Sequence, residues 1–77
     1  MEEKMTQNKE DYLKIIYNFG GTERLVSNKL IAESLKIAPA SVTEMLGKLK
    51  REGLIYYEPY KGSRLTAEGI RAAISLV

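Results

Sequence analysis

The 77-residue sequence predicts a small, mostly helical α+β domain of the winged helix-turn-helix type: three helices, a two-stranded wing and a fourth helix. Three observations carry that prediction. Two helix-period segments are separated by only about three residues, Lys36 to Ala38, which makes them a helix-turn-helix. After Gly53 the apolar period changes from helical to extended. A turn-rich stretch from Pro59 to Gly62 then divides two short extended runs, and another helical segment follows.

The first helix is expected from about Lys9 to Phe19. Tyr12, Ile15, Ile16 and Phe19 recur at the spacing of one helix face. Asn8 suits the N-cap, Glu10 and Asp11 place negative charge on the first turn, and Gly20-Gly21 stops the helix. Residues 1–6 are polar and expected to fray. The second helix should begin after an N-cap at Ser27 and end near Lys36, with Leu30, Ile31 and Leu35 as its apolar stripe. So short a helix holds only when packed on its neighbours. The third helix starts at Pro39, whose missing N–H costs nothing at the first helical position, and closes at Gly53. Val42, Met45, Leu46 and Leu49 form its inward stripe.

Leu54 to Tyr57 is rich in β-branched and aromatic residues and reads as one strand of the wing. Ser63 to Leu65 returns antiparallel. Thr66 is the N-cap of the fourth helix, which has Glu68 in its first turn and Ile70, Ala73, Ile74 and Val77 on one face.

Composition narrows the function. The chain has no Cys and no His, so disulfides, thiolate or imidazole metal sites, cysteine nucleophiles and imidazole bases are excluded. It has no phosphate loop and no paired carboxylates near a base, so an enzyme is not expected. No apolar run approaches the roughly 20 residues that span a bilayer, and the start of the chain is no signal peptide, so a cytoplasmic protein away from membranes is expected. The net charge of +2 is uneven. Residues 1–23 hold three Lys and five acids, and residues 24–77 hold nine Lys or Arg and five acids, so the basic excess lies in the second part. That balance fits weak attraction to a polyanion.

With its apolar stripe inward, the third helix turns Ala40, Ser41, Glu44, Gly47, Lys48 and Arg51 outward, with Thr43 on the flank. Its first turns, Ala38 to Thr43, are small and polar, and let a helix N-terminus approach a surface closely. Ala and Thr methyls can touch thymine methyls, Ser and Thr can bond base edges, and Glu44 can accept from a cytosine amine. Lys48 and Arg51 can reach flanking phosphates. Each residue alone reads better as ordinary surface, and Glu44 and Lys48 also form a common i,i+4 pair. Their placement together on the second helix of a helix-turn-helix points to DNA. A Gly inside a helix costs up to about 1 kcal/mol relative to Ala, so Gly47 needs a reason: close approach of a partner, or close packing of two helices. Tyr60, Lys61 and Arg64 are expected at the hairpin tip, where a wing lies along the phosphate backbone or enters the minor groove.

The runs NKEDYLKIIY and SNKLIAESLKIAPASVTEMLGKLKREGLIYYEPYKGSRLTAEG resemble the DNA-binding domain of the diphtheria-toxin-repressor family, and within it the manganese-responsive branch, the manganese transport regulators. The resemblance covers about Gln7 to Val77. It rests on the DYL segment of the first helix, the P-x-S-V-T-x-M start of the third, the EGL step into the wing and the LT-x-x-G start of the fourth. It implies a homodimeric repressor of metal-uptake genes that binds palindromic double-stranded operators when loaded with Mn2+ or Fe2+. The DNA-facing positions it implies are Ala38, Pro39, Ala40, Ser41, Thr43 and Glu44, with Lys48 on a phosphate. Ser27, at the head of the helix-turn-helix, is counted with them, as are Tyr60, Lys61 and Arg64 of the wing.

The resemblance also implies a metal ligand at Asp11, while Lys14 stands where some relatives have an acidic ligand. The family's other ligands and its dimerisation helices lie beyond the fourth helix, so an isolated DNA-binding domain is expected here. One carboxylate cannot hold Mn2+, which takes several oxygen or nitrogen donors. The chain by itself should therefore show no micromolar Mn2+ binding by isothermal titration. The alternative reading of the residues is a winged helix used for protein–protein contact, or one that answers to another effector.

Overall fold

The computed structural model describes residues 9–75. The readings at Asn8, residues 1–6 and Val77 lie outside the described residues. The elements follow in the order α1 (Lys9–Asn18), α2 (Asn28–Leu35), α3 (Pro39–Arg51), β1 (Ile55–Glu58), β2 (Gly62–Leu65) and α4 (Ala67–Ile74). This is the expected winged helix-turn-helix order. The ends of α1, α2 and α3 and the start of α4 fall within one residue of those read from the sequence, while α4 closes earlier, at Ile74 with Ser75 as its C-cap.

The local chemistry explains the boundaries. Ser27 is extended and its Oγ accepts from the Leu30 amide at 3.1 Å, so it caps α2. Lys36 ends α2 in the left-handed conformation, at φ 59°, which lets the chain turn sharply into α3. Gly53 follows α3 at φ 78°, in the place where a helix most often ends on glycine. Thr66 caps α4 by accepting from Gly69 at 3.1 Å, and its hydroxyl donates to the Gly53 carbonyl at 2.7 Å. One threonine thus ties the start of α4 to the end of α3. Gly69 completes this joint, because a Cβ there would sit 2.0 Å from the Leu54 carbonyl oxygen. The L-T-x-x-G run is therefore a packing device, with Leu65 in the core, Thr66 as cap and tie, and Gly69 as the point of contact.

The core draws on every element: Tyr12, Leu13 and Ile16 from α1, Ile31 and Ala32 from α2, and Val42, Leu46 and Leu49 from α3. Ile55 and Leu65 of the ribbon, Ala73 of α4 and Val26 complete it. Two expected core residues are not inside: Leu30 is 37% exposed and Ile74 is 50% exposed. Each lies about 100° around its helix from the residue that points most directly inward, Ile31 or Ala73, and the inward arc of so short a helix is narrow. Leu13 and Ala32 occupy the core instead.

The two strands pair antiparallel from Ile55 with Leu65 to Glu58 with Gly62. The ribbon gains the pair Glu58 with Gly62 beyond what the sequence suggests. On the other side of β2, Val26 bridges Ser63, with N–H···O distances of 2.7 and 3.0 Å. The segment before α2 thus acts as a third, one-residue strand that docks the wing on the helical body. A single bridge has no alternation to reveal it in sequence. An ion pair at 2.9 Å from Lys9 to Glu52 joins the start of α1 to the end of α3, and its hydrogen bond holds the Glu52 carboxyl below the ordinary value of 4.5.

Candidate nucleic-acid interface

Helix α3 begins at Ala38, an extended N-cap whose side chain makes no capping hydrogen bond, followed by Pro39. The helix N-terminus is thus uncovered by side chains, and small residues surround it. Val42, Leu46 and Leu49 have no exposure at all, and they fix which way the helix faces. Ala38, Pro39, Ala40, Ser41, Thr43, Glu44, Lys48 and Arg51 are all exposed on the opposite side. The basic residues Lys48, Lys50 and Arg51 gather in the last turn, where the helix dipole favours positive charge.

Two grooves flank this exposed arc. One, of about 470 Å³, runs between α1 and α3, where Ser41, Glu44, Lys48 and Arg51 stand over Tyr12 and Met45. The other, of about 570 Å³, lies between the start of α3 and the wing, and it brings Ser27, Pro39 and Thr43 opposite Tyr60 and Lys61. The sequence-predicted residues therefore form one surface: an exposed helix face with a trough on each side.

Arg64 is the exception. It is not at the tip but inside β2, paired across the ribbon with Tyr56 on the face opposite the buried Ile55 and Leu65. Its guanidinium lies over the Tyr56 ring at 4.7 Å from the centroid, an arrangement that covers a half-exposed aromatic. The hairpin turn is only Pro59 to Lys61, so the alternation of the strand, rather than nearness in sequence, decides where Arg64 points. The tip itself is Tyr60, fully exposed at φ 71°, and Lys61, whose amide bonds the Glu58 carbonyl at 3.0 Å.

Two residues of this surface carry no periodic signal. Asn28 donates to the Thr43 hydroxyl at 3.4 Å and to the Tyr57 hydroxyl at 3.1 Å. Tyr57 reads in sequence only as a strand aromatic, yet its hydroxyl end lines the groove beside Thr43. A polar residue right after an N-cap serine was the only available hint.

Gly47 is not explained by helix packing. A Cβ there would meet only the Arg51 Nη1, at 3.8 Å. Gly47→Ala should therefore stabilise the fold by about 0.5–1 kcal/mol in urea unfolding. Weaker binding to duplex DNA in the same variant would show that the missing methyl serves a partner.

These features coincide with a known family. Residues 4–63 match the family model described as the iron-dependent repressor, N-terminal DNA-binding domain. The chain belongs to this iron-dependent repressor family. It is 39% identical over 72 residues to the HTH-type transcriptional regulator MntR of Oceanobacillus iheyensis, covering 94% of this chain and 49% of that protein. It is 44% identical over 70 residues to an uncharacterised HTH-type transcriptional regulator of Methanocaldococcus jannaschii, covering 90% and 56%. The chain thus spans about half the length of the curated relatives it matches. Among solved structures it superposes on the manganese regulator SloR with a TM-score of 0.76 at 44% identity, covering 92% of this chain and 33% of that one. It superposes on ScaR with bound Zn2+ at 0.77 and 38% identity, covering 91% and 32%.

The iron-dependent repressor family consists of transcriptional regulators and not enzymes, and the match places this chain in its DNA-binding domain. No helix among the described residues is long and apolar enough to cross a membrane. Asp11 sits half-buried in the first turn of α1. Among the described residues no three His, Cys, Asp or Glu side chains converge, so they do not supply by themselves the donors that Mn2+ or Fe2+ requires.

Proposed function

We propose that this chain is the reading head of a cytoplasmic, metal-dependent repressor, and that it binds one half-site of a palindromic operator controlling metal-uptake genes. The exposed arc of α3 enters the major groove. Ala38, Pro39, Ala40, Ser41, Thr43 and Glu44 face base edges, and Lys48 takes a phosphate. Ser27 and the wing tip, Tyr60 and Lys61, follow the flanking backbone. Arg64, stacked on the outer face of the wing, contributes through Tyr56 rather than through the tip. The observation that carries the reading is the co-location of small polar and basic residues on the uncovered side of the second helix of a helix-turn-helix.

In this reading the full repressor is a homodimer that joins two half-sites, and Mn2+ or Fe2+ governs the joining. A single copy of this domain touches one half-site and binds weakly, because the linkage that adds the second contact is supplied by the dimer.

A salt series tests the proposal. The logarithm of the association constant should fall linearly with the logarithm of salt concentration, with a slope near −0.9 for each phosphate contacted. Lys48→Ala should weaken binding to all duplexes alike and make that slope shallower by about one. Binding that ignores salt would favour a protein-contact role for this winged helix instead.

A further inference from the structure

Asn28 is the first residue of α2, and its side chain joins three elements at one point. Its Nδ2 donates to Thr43 Oγ1 on α3 and to the Tyr57 hydroxyl on β1. Its Oδ1 is buried with no donor among the described residues. A buried carbonyl left without a partner is costly, so what this side chain contributes lies in its two N–H groups.

The use follows from hydrogen-bond polarity. An amide nitrogen has two protons and gives one to each hydroxyl. A hydroxyl that accepts from Asn28 keeps its own proton for another acceptor. Thr43 is exposed and Tyr57 lines the groove between α3 and the wing, so both remaining protons serve whatever enters that groove. We propose that Asn28 is a positioning residue for DNA reading: its amide holds α3 and the wing at one spacing and sets the Thr43 and Tyr57 hydroxyls as donors toward the duplex. This rests on the DNA-reading role proposed above. The Thr43 proton then suits a base acceptor in the major groove, a purine N7, guanine O6 or thymine O4. The Tyr57 proton suits a phosphate oxygen of the adjoining backbone.

The test selects duplexes from a random-sequence pool with the wild-type chain, Asn28→Ala, Thr43→Val, Tyr57→Phe and the Asn28→Ala/Thr43→Val double variant. Affinities for the enriched duplex are then measured at one fixed low salt concentration. Thr43→Val should flatten preference at one base-pair position. Tyr57→Phe should weaken all duplexes alike, by about three- to tenfold. Asn28→Ala should do both, and adding Thr43→Val to it should remove no further preference. Unchanged preference in Asn28→Ala, or losses that add in the double variant, would overturn the proposal. If Asn28→Ala does not fold by circular dichroism, Asn28→Asp decides. A carboxylate only accepts, so both hydroxyls must turn inward and the same positional preference should vanish; its retention overturns the proposal. A wild-type chain that enriches no duplex refutes the DNA-reading role itself, and this inference with it.

Discussion

Gly62→Ala should lower the stability of the domain by about 2–6 kcal/mol, the sum of backbone strain and overpacking. Gly62 opens β2 at φ 134°, a conformation that side-chain-bearing residues rarely adopt. A Cβ at this position would also lie 2.3 Å from the Val26 carbonyl oxygen. Neither problem relaxes without moving the other, because Val26 is the residue that bridges Ser63 and docks the wing. For a chain of 77 residues the whole folding free energy is roughly 4–12 kcal/mol, so this single methyl removes a large fraction of it. Urea unfolding of the variant reads the loss directly. A midpoint equal to that of the wild type would mean that the segment before α2 is not the wing's anchor.

On the functional side, the largest effect is expected from Ser41→Ala and Glu44→Ala. Each should relax discrimination at one base-pair position by about 1–3 kcal/mol, while affinity for unrelated duplexes stays nearly constant. Both residues are exposed, and both stand on the groove between α1 and α3. Their truncation leaves Val42, Leu46 and Leu49 untouched, so stability should hold within about 0.5 kcal/mol. A uniform loss across all sequences would place these side chains on the backbone rather than on base edges.

Much of this architecture was legible in the residues. The switch of period after Gly53, the proline at the head of α3 and the cap residues Ser27 and Thr66 are local signals, and each names a boundary through one physical cause. The uncovered face of α3 was legible too, since four large apolar side chains at helical spacing leave one side for something else. The errors came where tertiary contact decides. Leu30 and Ile74 look inward by hydropathy but lie outside the narrow arc that short helices bury. Arg64 looks like a tip residue by proximity, yet strand alternation turns it onto Tyr56. The Val26 bridge and the reach of Asn28 across to Thr43 and Tyr57 join segments distant in sequence and leave no periodic trace. A glycine's role was likewise ambiguous until its neighbours were known: Gly69 is held by contact with Leu54, whereas Gly47 has open space above it.

In the function proposed, one side of α3, together with the wing tip, receives the duplex. Backbone amide shifts of the labelled chain, followed while a duplex is titrated in, test this directly. Changes should concentrate at residues 38–51 and 59–61 and leave the outer surface of α4, around Arg71 and Ser75, unmoved. Changes centred on α4, with residues 40–48 silent, would contradict it.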